Sequence, residues 1–331
     1  MIEIAKRTAR YILSVQHGDG AIPWFKGGIL DPWDHVEAAM GLSVTGHHDQ
    51  AEAAYQWLAH RQRDDGAWLA AYLGNNVADG TRAETNFVAY IATGVWHHFL
   101  ATGNDAFLRS MWPTVEAAIG FVLGLQAESG EIYWAWDTRT GINKDALVTG
   151  CSSIYLSLGC AVSISERLGK KRPAWPAART RLGQAIRNRP ERFDRTWESK
   201  GRYSMDWFYP VMTGVIRGDA AVARLESRWH EFVEPDFGCR CVADQPWVTV
   251  AETCELVLAC LSVGDHDRAL SLFNRLQKYQ AEDGSWGTGY VFKDRLFWPD
   301  ERSTWTAGAV LLAIDALTQT TPAARLFTHP A

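Results

Sequence analysis

Four glutamines in this chain each stand four residues ahead of a glycine: Gln16/Gly20, Gln62/Gly66, Gln126/Gly130 and Gln280/Gly284. Two of them complete a fuller pattern, Q-x3-G-x-W, as QRDDGAW (Gln62 to Trp68) and QAEDGSW (Gln280 to Trp286). The glutamines are 46, 64 and 154 residues apart, and the last interval is close to three units of about 51. A recurring unit of that size means a repeat architecture, so the fold is read from the period before any single motif. The element itself has a structural reading: Gln ends a helix, Gly supplies positive φ, and Trp folds back on neighbouring helices.

Between these marks the 3.6-residue period dominates and strand signals are almost absent. Six segments are amphipathic with charged faces, at roughly 2–16, 49–62, 105–126, 174–189, 219–233 and 265–280. Six more apolar ones alternate with them, at about 32–45, 82–101, 144–168, 205–217, 247–263 and 302–318. A helix apolar nearly all round is surrounded by protein, whereas one with a charged stripe faces water. The alternation therefore predicts six inner and six outer helices paired as hairpins and closed into a ring: an all-α (α/α)6 toroid, expected to be a single domain over residues 1–331.

The connections are asymmetric. Inner-to-outer turns are short and centred on glycine, as at Gly46, Gly103, Gly218 and Gly264, with Asn104 or Asp265 placed to cap the next helix. Outer-to-inner connections are long: about 17–31, 63–81, 127–143, 190–204, 234–246 and 281–301. Long loops gathered at one end of a rigid scaffold are where function usually sits.

Bulk properties narrow the classes. A net charge of −5 gives no basic excess for a nucleic-acid surface. No run of eighteen apolar residues suggests a membrane span, and MIEIAKRTAR lacks the order of a signal peptide, so a cytoplasmic location is expected. The six cysteines have no C-x2-C spacing, and neither His47-His48 nor His97-His98 adds a ligand set, so no metal and no cofactor is expected. No Walker loop, dinucleotide fingerprint or G-x-S-x-G elbow occurs.

The rim carries aromatic and acidic residues together. Trp33, Trp136, Trp207, Tyr209, Trp247 and Trp305 fall in the long loops or first inner turns, and tryptophan (sixteen in all) outnumbers tyrosine and phenylalanine. Flat faces of this kind suit pyranose rings, and equally a carbocation. Asp34, Glu84, Asp145, Asp206, Glu252 and Glu255 mark the starts of the inner helices, where Asp31, Asp300 and Glu301 read as caps. Glu252 and Glu255 interrupt the apolar run VTVAETCELVLACL, so each needs a partner or a raised pKa; Arg202 and Arg240 are the rim cations within reach in sequence.

The ring of hairpins with Q-x3-G-x-W repeats is similar to the terpenoid cyclase and protein prenyltransferase toroids. Glu84 to Asp137 instead resembles the six-hairpin glycosidases, with a polar helix start, a Thr102-Gly103-Asn104-Asp105 turn and an outer helix containing Trp112-Pro113. The D-x-D-D acid and aspartate-rich metal motifs of terpenoid chemistry are absent, as is the zinc set of the prenyltransferases. The glycosidase resemblance needs only two suitable carboxylates, one protonated and one ionised. It implies a carbohydrate-active enzyme, a hydrolase or a lyase, acting on an oligosaccharide or glycoside. Placement on the rim makes Glu252 the expected acid and Glu84 or Asp206 the base. Asp34, Asp145 and Glu255 would then bind substrate along the aromatic wall. An isoprenoid enzyme and a non-catalytic ligand-binding toroid are the alternatives.

Overall fold

The stretches of helical periodicity are helices in the computed structural model, which describes residues 1–329. The outer helices are α1 (Ile2–Val15), α3 (His48–Arg61), α5 (Asp105–Gly124), α7 (Ala174–Asn188), α9 (Asp219–Phe232) and α11 (His266–Leu276). The inner ones are α2 (Pro32–Val44), α4 (Thr85–Thr102), α6 (Val148–Arg167), α8 (Ser204–Met212), α10 (Val250–Ser262) and α12 (Thr304–Thr318). Each inner helix packs on the next, α2 on α4 and so on to α12, which returns to α2 and closes the toroid. Their burial follows: every residue of α10 from Val250 to Leu261 is buried, and α12 is buried from Thr304 to Ala316 except at Trp305. Among the described residues α6 alone is long and apolar enough to cross a membrane, and here it is a wall of the ring. A last short helix, α13 (Arg325–Thr328), packs on α10 and α12 and buries Leu326 and Phe327.

The glutamine repeat staples the outer layer. Gln62 Nε2 donates to Gly66 O in its own turn and to Thr114 O of α5, both at 2.9 Å. Gln126 does the same toward Ala178 of α7, and Gln16 toward Gln50 of α3. Gly66 has φ +88, and a Cβ there would lie 2.2 Å from the Ala117 carbonyl oxygen, so positive φ and close approach both exclude a side chain. The last staple closes the ring: Gln280 Nε2 and Trp286 Nε1 both donate to Thr8 Oγ1 of α1, each at 3.0 Å.

The short turns match their expected chemistry. Gly103 ends α4 at φ +69, and Asn104 Oδ1 accepts from the backbone of Ala106 and Phe107. Asp265 caps α11 in the same way. All six cysteines are free thiols, five of them buried.

Two expectations are corrected. The long rim loops are not strand-free: they contain two hairpins, β1–β2 (Ala71–Leu73, Asn76–Asp79) and β6–β7 (Val233–Glu234, Gly238–Cys239). They also contain two antiparallel sheets, β3–β4–β5 (Arg82–Glu84, Ala135–Asp137, Gly141–Asn143) and β8–β9–β10 (Trp247–Thr249, Gly289–Val291, Leu296–Phe297). Strands of two to four residues are too short to print a period of two. They also delay the inner helices, so α4 starts at Thr85 and α10 at Val250. The fourth inner helix is the second correction: α8 stops at Met212, ahead of Gly214 at φ +73.

Candidate active site

The first turn of α2 opens the site. Asp31 caps the helix, its Oδ1 accepting from Asp34 N at 2.9 Å and its Oδ2 from the Trp24 indole at 2.6 Å. The Asp34 carboxyl lies beside that of Asp31. Burial, then the charge of Asp31, then that of Glu37, push the Asp34 pKa well above the usual carboxylate range. Two adjacent carboxyls do not both ionise, and Asp34 is the one that keeps the proton. It is also the single residue of α2 between Pro32 and Val44 that is not buried. Asp34 is therefore held among protein atoms while solvent still reaches it.

Two carboxyl–tyrosine pairs form the floor. Tyr90 OH donates to Glu37 Oε2 at 2.7 Å, and Tyr209 OH donates to Glu255 Oε1. Trp33 stacks on Tyr90 with centroids 4.3 Å apart and planes 9° apart, and the Tyr209 ring lies 6.3 Å from it. Burial pushes Glu37 up to about 7, opposed by the Tyr90 hydrogen bond. Burial, and after it the charge of Glu37, raise Glu255 well above its ordinary range. Glu255 Oε2 is buried with no partner.

Glu252 lies one turn before Glu255 on α10, toward the mouth. The Cys241 thiol lies beside it, raised by its own burial and then by the Glu252 charge. The expected arginine partners are elsewhere: Arg202 pairs with Asp244 at 2.8 Å, and Arg240 pairs with Glu234. Those rim carboxylates are simply closer in sequence and better exposed. Glu84, at the start of α4, has both oxygens engaged, by Arg82 Nε at 2.7 Å and the Trp134 indole at 3.1 Å. Burial raises its pKa, with Arg82 opposing.

Three expected site residues are not brought into this group. Asp145 is fully enclosed: its oxygens accept from the backbone of Ala146, Arg195 and Thr196 and from Thr196 Oγ1. Those bonds outweigh its burial and lower its pKa, so it clamps the loop before α6. Trp207 faces outward, its indole donating to Arg224 O and its ring stacked 5.3 Å from Phe232. Asp206 responds to burial, which pushes it up to about 6, and then to Asp194, Arg224 and Arg228. None of these belongs to the Asp34–Glu255 group. Of the remaining aromatics, Trp136 lies on β4 under Arg63, Trp247 begins β8, and Trp305 in the first turn of α12 has a buried indole N–H without a partner.

Glu37 and Tyr90 are the residues that sequence reasoning missed. The available signal was the one used for Glu252: Glu37 is a carboxylate inside an apolar run, VEAAMGL, three residues after Asp34 on the same helix face. Among the described residues no three His, Cys, Asp or Glu side chains converge in a metal-binding arrangement. A cavity of about 500 Å³ between α1, α2 and α12 lies at the opposite, short-turn end, where Val44, Leu311 and Thr318 line it, away from these carboxyls. A protonated carboxyl, further carboxylates and aromatic side chains gathered at the long-loop ends of α2 and α10 are the kinds of group that acid-assisted cleavage of an acetal uses.

No protein-family model matches the chain. Over 325 residues, covering 98% of this chain and 89% of the relative, the sequence is 48% identical to the MMP endo-(1,4)-3-O-methyl-alpha-D-mannosidase of Mycolicibacterium hassiacum. It is 24% identical over 133 residues, 40% of this chain and 21% of the other, to an uncharacterized glycosyl hydrolase of Methanocaldococcus jannaschii. Among solved structures, a glycosidase in complex with glucose aligns over 96% of both chains with a TM-score of 0.75 at 16% identity. A D-mannose isomerase aligns over 96% of this chain and 97% of its own with a TM-score of 0.72 at 10% identity. At such identities the two structures bear on the fold alone.

Proposed function

The chain belongs to the family of the Mycolicibacterium hassiacum endo-(1,4)-3-O-methyl-alpha-D-mannosidase, and from that premise we propose that it is a glycoside hydrolase cleaving internal (1,4) bonds of an α-mannan that carries 3-O-methyl groups. That the chain is a glycosidase-like hydrolase follows from the family. The substrate and the residue roles are the proposal.

Asp34 is the acid in this reading, a reassignment from sugar binding, and Glu252, expected from the sequence as the acid, becomes the second carboxylate in place of Glu84 or Asp206. The observation that carries it is the combination found at Asp34: a carboxyl kept protonated by burial and by Asp31, yet open to solvent on an otherwise buried helix. Glu255 and Glu37 are each tied to a tyrosine in the floor, and Glu84 is neutralised by Arg82. Glu252 has no basic partner among the described residues and sits at the mouth end of its helix.

The chemistry balances with these two groups. Asp34 gives its proton to the glycosidic oxygen as the C1–O bond breaks, and the leaving chain departs with a hydroxyl. A water oxygen ends on C1, and its proton ends on a carboxylate. The wall of Trp33, Phe87 and Tyr90 suits a methylated sugar, because an O-methyl group removes a donor and adds apolar surface.

The test is to incubate the purified protein with α-(1,4)-linked 3-O-methylmannan, unmethylated α-(1,4)-mannan and α-(1,4)-glucan, following reducing ends and fragment size. Internal cleavage of the methylated mannan in preference to both others is expected. Faster cleavage of the glucan, or release of single sugars only, would overturn the substrate assignment.

A further inference from the structure

β8 runs directly into α10, with Trp247 at the start of the strand and Glu252 five residues later in the first turn of the helix. At about 3.3 Å per strand residue and about 1.5 Å per helix residue, the chain path from Trp247 to Glu252 spans at most about 13 Å, long enough to hold the two more than one pyranose ring apart. The Trp247 indole N–H donates to the Trp298 carbonyl at 2.7 Å, and the two rings meet edge to face with centroids 5.1 Å apart. The seat is cut to fit them. A Cβ on Gly289 would lie 2.2 Å from Trp247 Nε1, and one on Gly287 would lie 2.4 Å from Phe297 Cδ1. Neither glycine has positive φ, so close approach is what requires them.

On this fixed seat Trp298 is left 55% exposed, next to Phe297 at 42% and Leu296 at 47%. Three consecutive exposed apolar side chains on a rim hairpin are a liability unless they bind something. A protein partner needs roughly 800 Å² on each side, more than three half-exposed side chains supply. A sugar ring needs one flat face, and the hairpin pairs through β9 with β8, the strand that runs into the helix carrying Glu252.

We propose that Trp298, held in place by Trp247, is a distal sugar-binding platform. A glycan held in the cup runs outward over β8–β9–β10 and stacks a ring, more than one unit from the cleaved bond, on the Trp298 indole. This rests on the reading of the cup as a glycan-cleaving site.

The experiment compares wild type, Trp298→Ala and Trp298→Tyr on α-(1,4)-linked 3-O-methylmannan oligosaccharides of graded length. W298A should leave kcat and KM unchanged on the shortest cleaved oligosaccharide and raise KM on the longest about tenfold, equivalent to about 1.4 kcal/mol. W298Y, which keeps a flat face, should recover most of that loss. An equal loss at every length would mean a structural role, and no change at any length would mean no platform; either overturns the proposal. So would a wild-type dimer that W298A converts to monomer with unchanged kinetics, since the patch would then face a second copy. Native electrophoresis in gels cast with methylmannan, mannan or glucan reads binding without hydrolysis. The wild type should be retarded in at least one gel and W298A less so. Equal retardation of the two, or none for the wild type, also overturns the platform. A wild type that binds but cleaves nothing would remove the hydrolase reading and leave the platform standing.

Discussion

Asp34 keeps its proton because of its neighbours: burial comes first, then the negative charge of Asp31, then Glu37 and Glu255. Replacing Asp31 by Asn removes the nearest charge while leaving an oxygen to cap α2. The Asp34 pKa then falls, so the acid loses its proton at a lower pH. The alkaline limb of the kcat/KM profile should move to lower pH in D31N, with the acid limb in place; an unmoved alkaline limb would detach Asp34 from the acid role. None of this was readable from the sequence. An embedded carboxylate shows there, but its proton is set first by burial, and the packing that buries it and brings Glu255 of α10 near exists only in the closed ring. The phase of α8 was readable and was overlooked. Residues two apart on a helix lie about 200° apart, so Trp207 and Tyr209 cannot both face the cup, and only Tyr209 does.

The outer helices are held by a repeated device, and its parts fail separately. Gly66→Ala adds a Cβ 2.2 Å from the Ala117 carbonyl at a positive φ, and should cost about 2–4 kcal/mol in urea unfolding. Thr8→Val deletes the acceptor shared by Gln280 and Trp286, leaving the Trp286 indole unpaired and Gln280 with only its longer bonds to Ile4 O and Gly284 O, at 3.4 and 3.5 Å, between the last hairpin and the first. A loss of about 2–3 kcal/mol is expected, read as a lower midpoint at constant slope. A neutral Thr8→Val would mean that ring closure does not depend on this staple. These elements were legible because each is local: Gln, Gly and Trp at fixed offsets write the turn, and the alternation of charged and apolar helices writes the two layers. The rim sheets were not legible, because strands of two to four residues are defined by partners such as Ala83 opposite Trp136, some fifty residues apart.

At the scale of the whole molecule the ring gathers six long connections at one end, and the charged groups of the site come from helices that are distant in sequence. The Q-x3-G-x-W elements, which resemble those of terpenoid toroids, act between outer helices and touch none of the clustered carboxyls. They therefore report how such a ring is fastened and carry no information about its reaction, whereas the family places the chain among glycosidases. The proposed chemistry stands on Asp34 and Glu252 acting together from two different hairpins. The most direct measurement is the initial rate of reducing-end release from α-(1,4)-linked 3-O-methylmannan by wild type, Asp34→Asn and Glu252→Gln, each first shown to unfold at an unchanged urea midpoint. The wild type should cleave, and each variant should fall by a factor of at least about 100, the lower bound for losing an acid or base. A folded variant of either residue that cleaves at the wild-type rate would contradict the account.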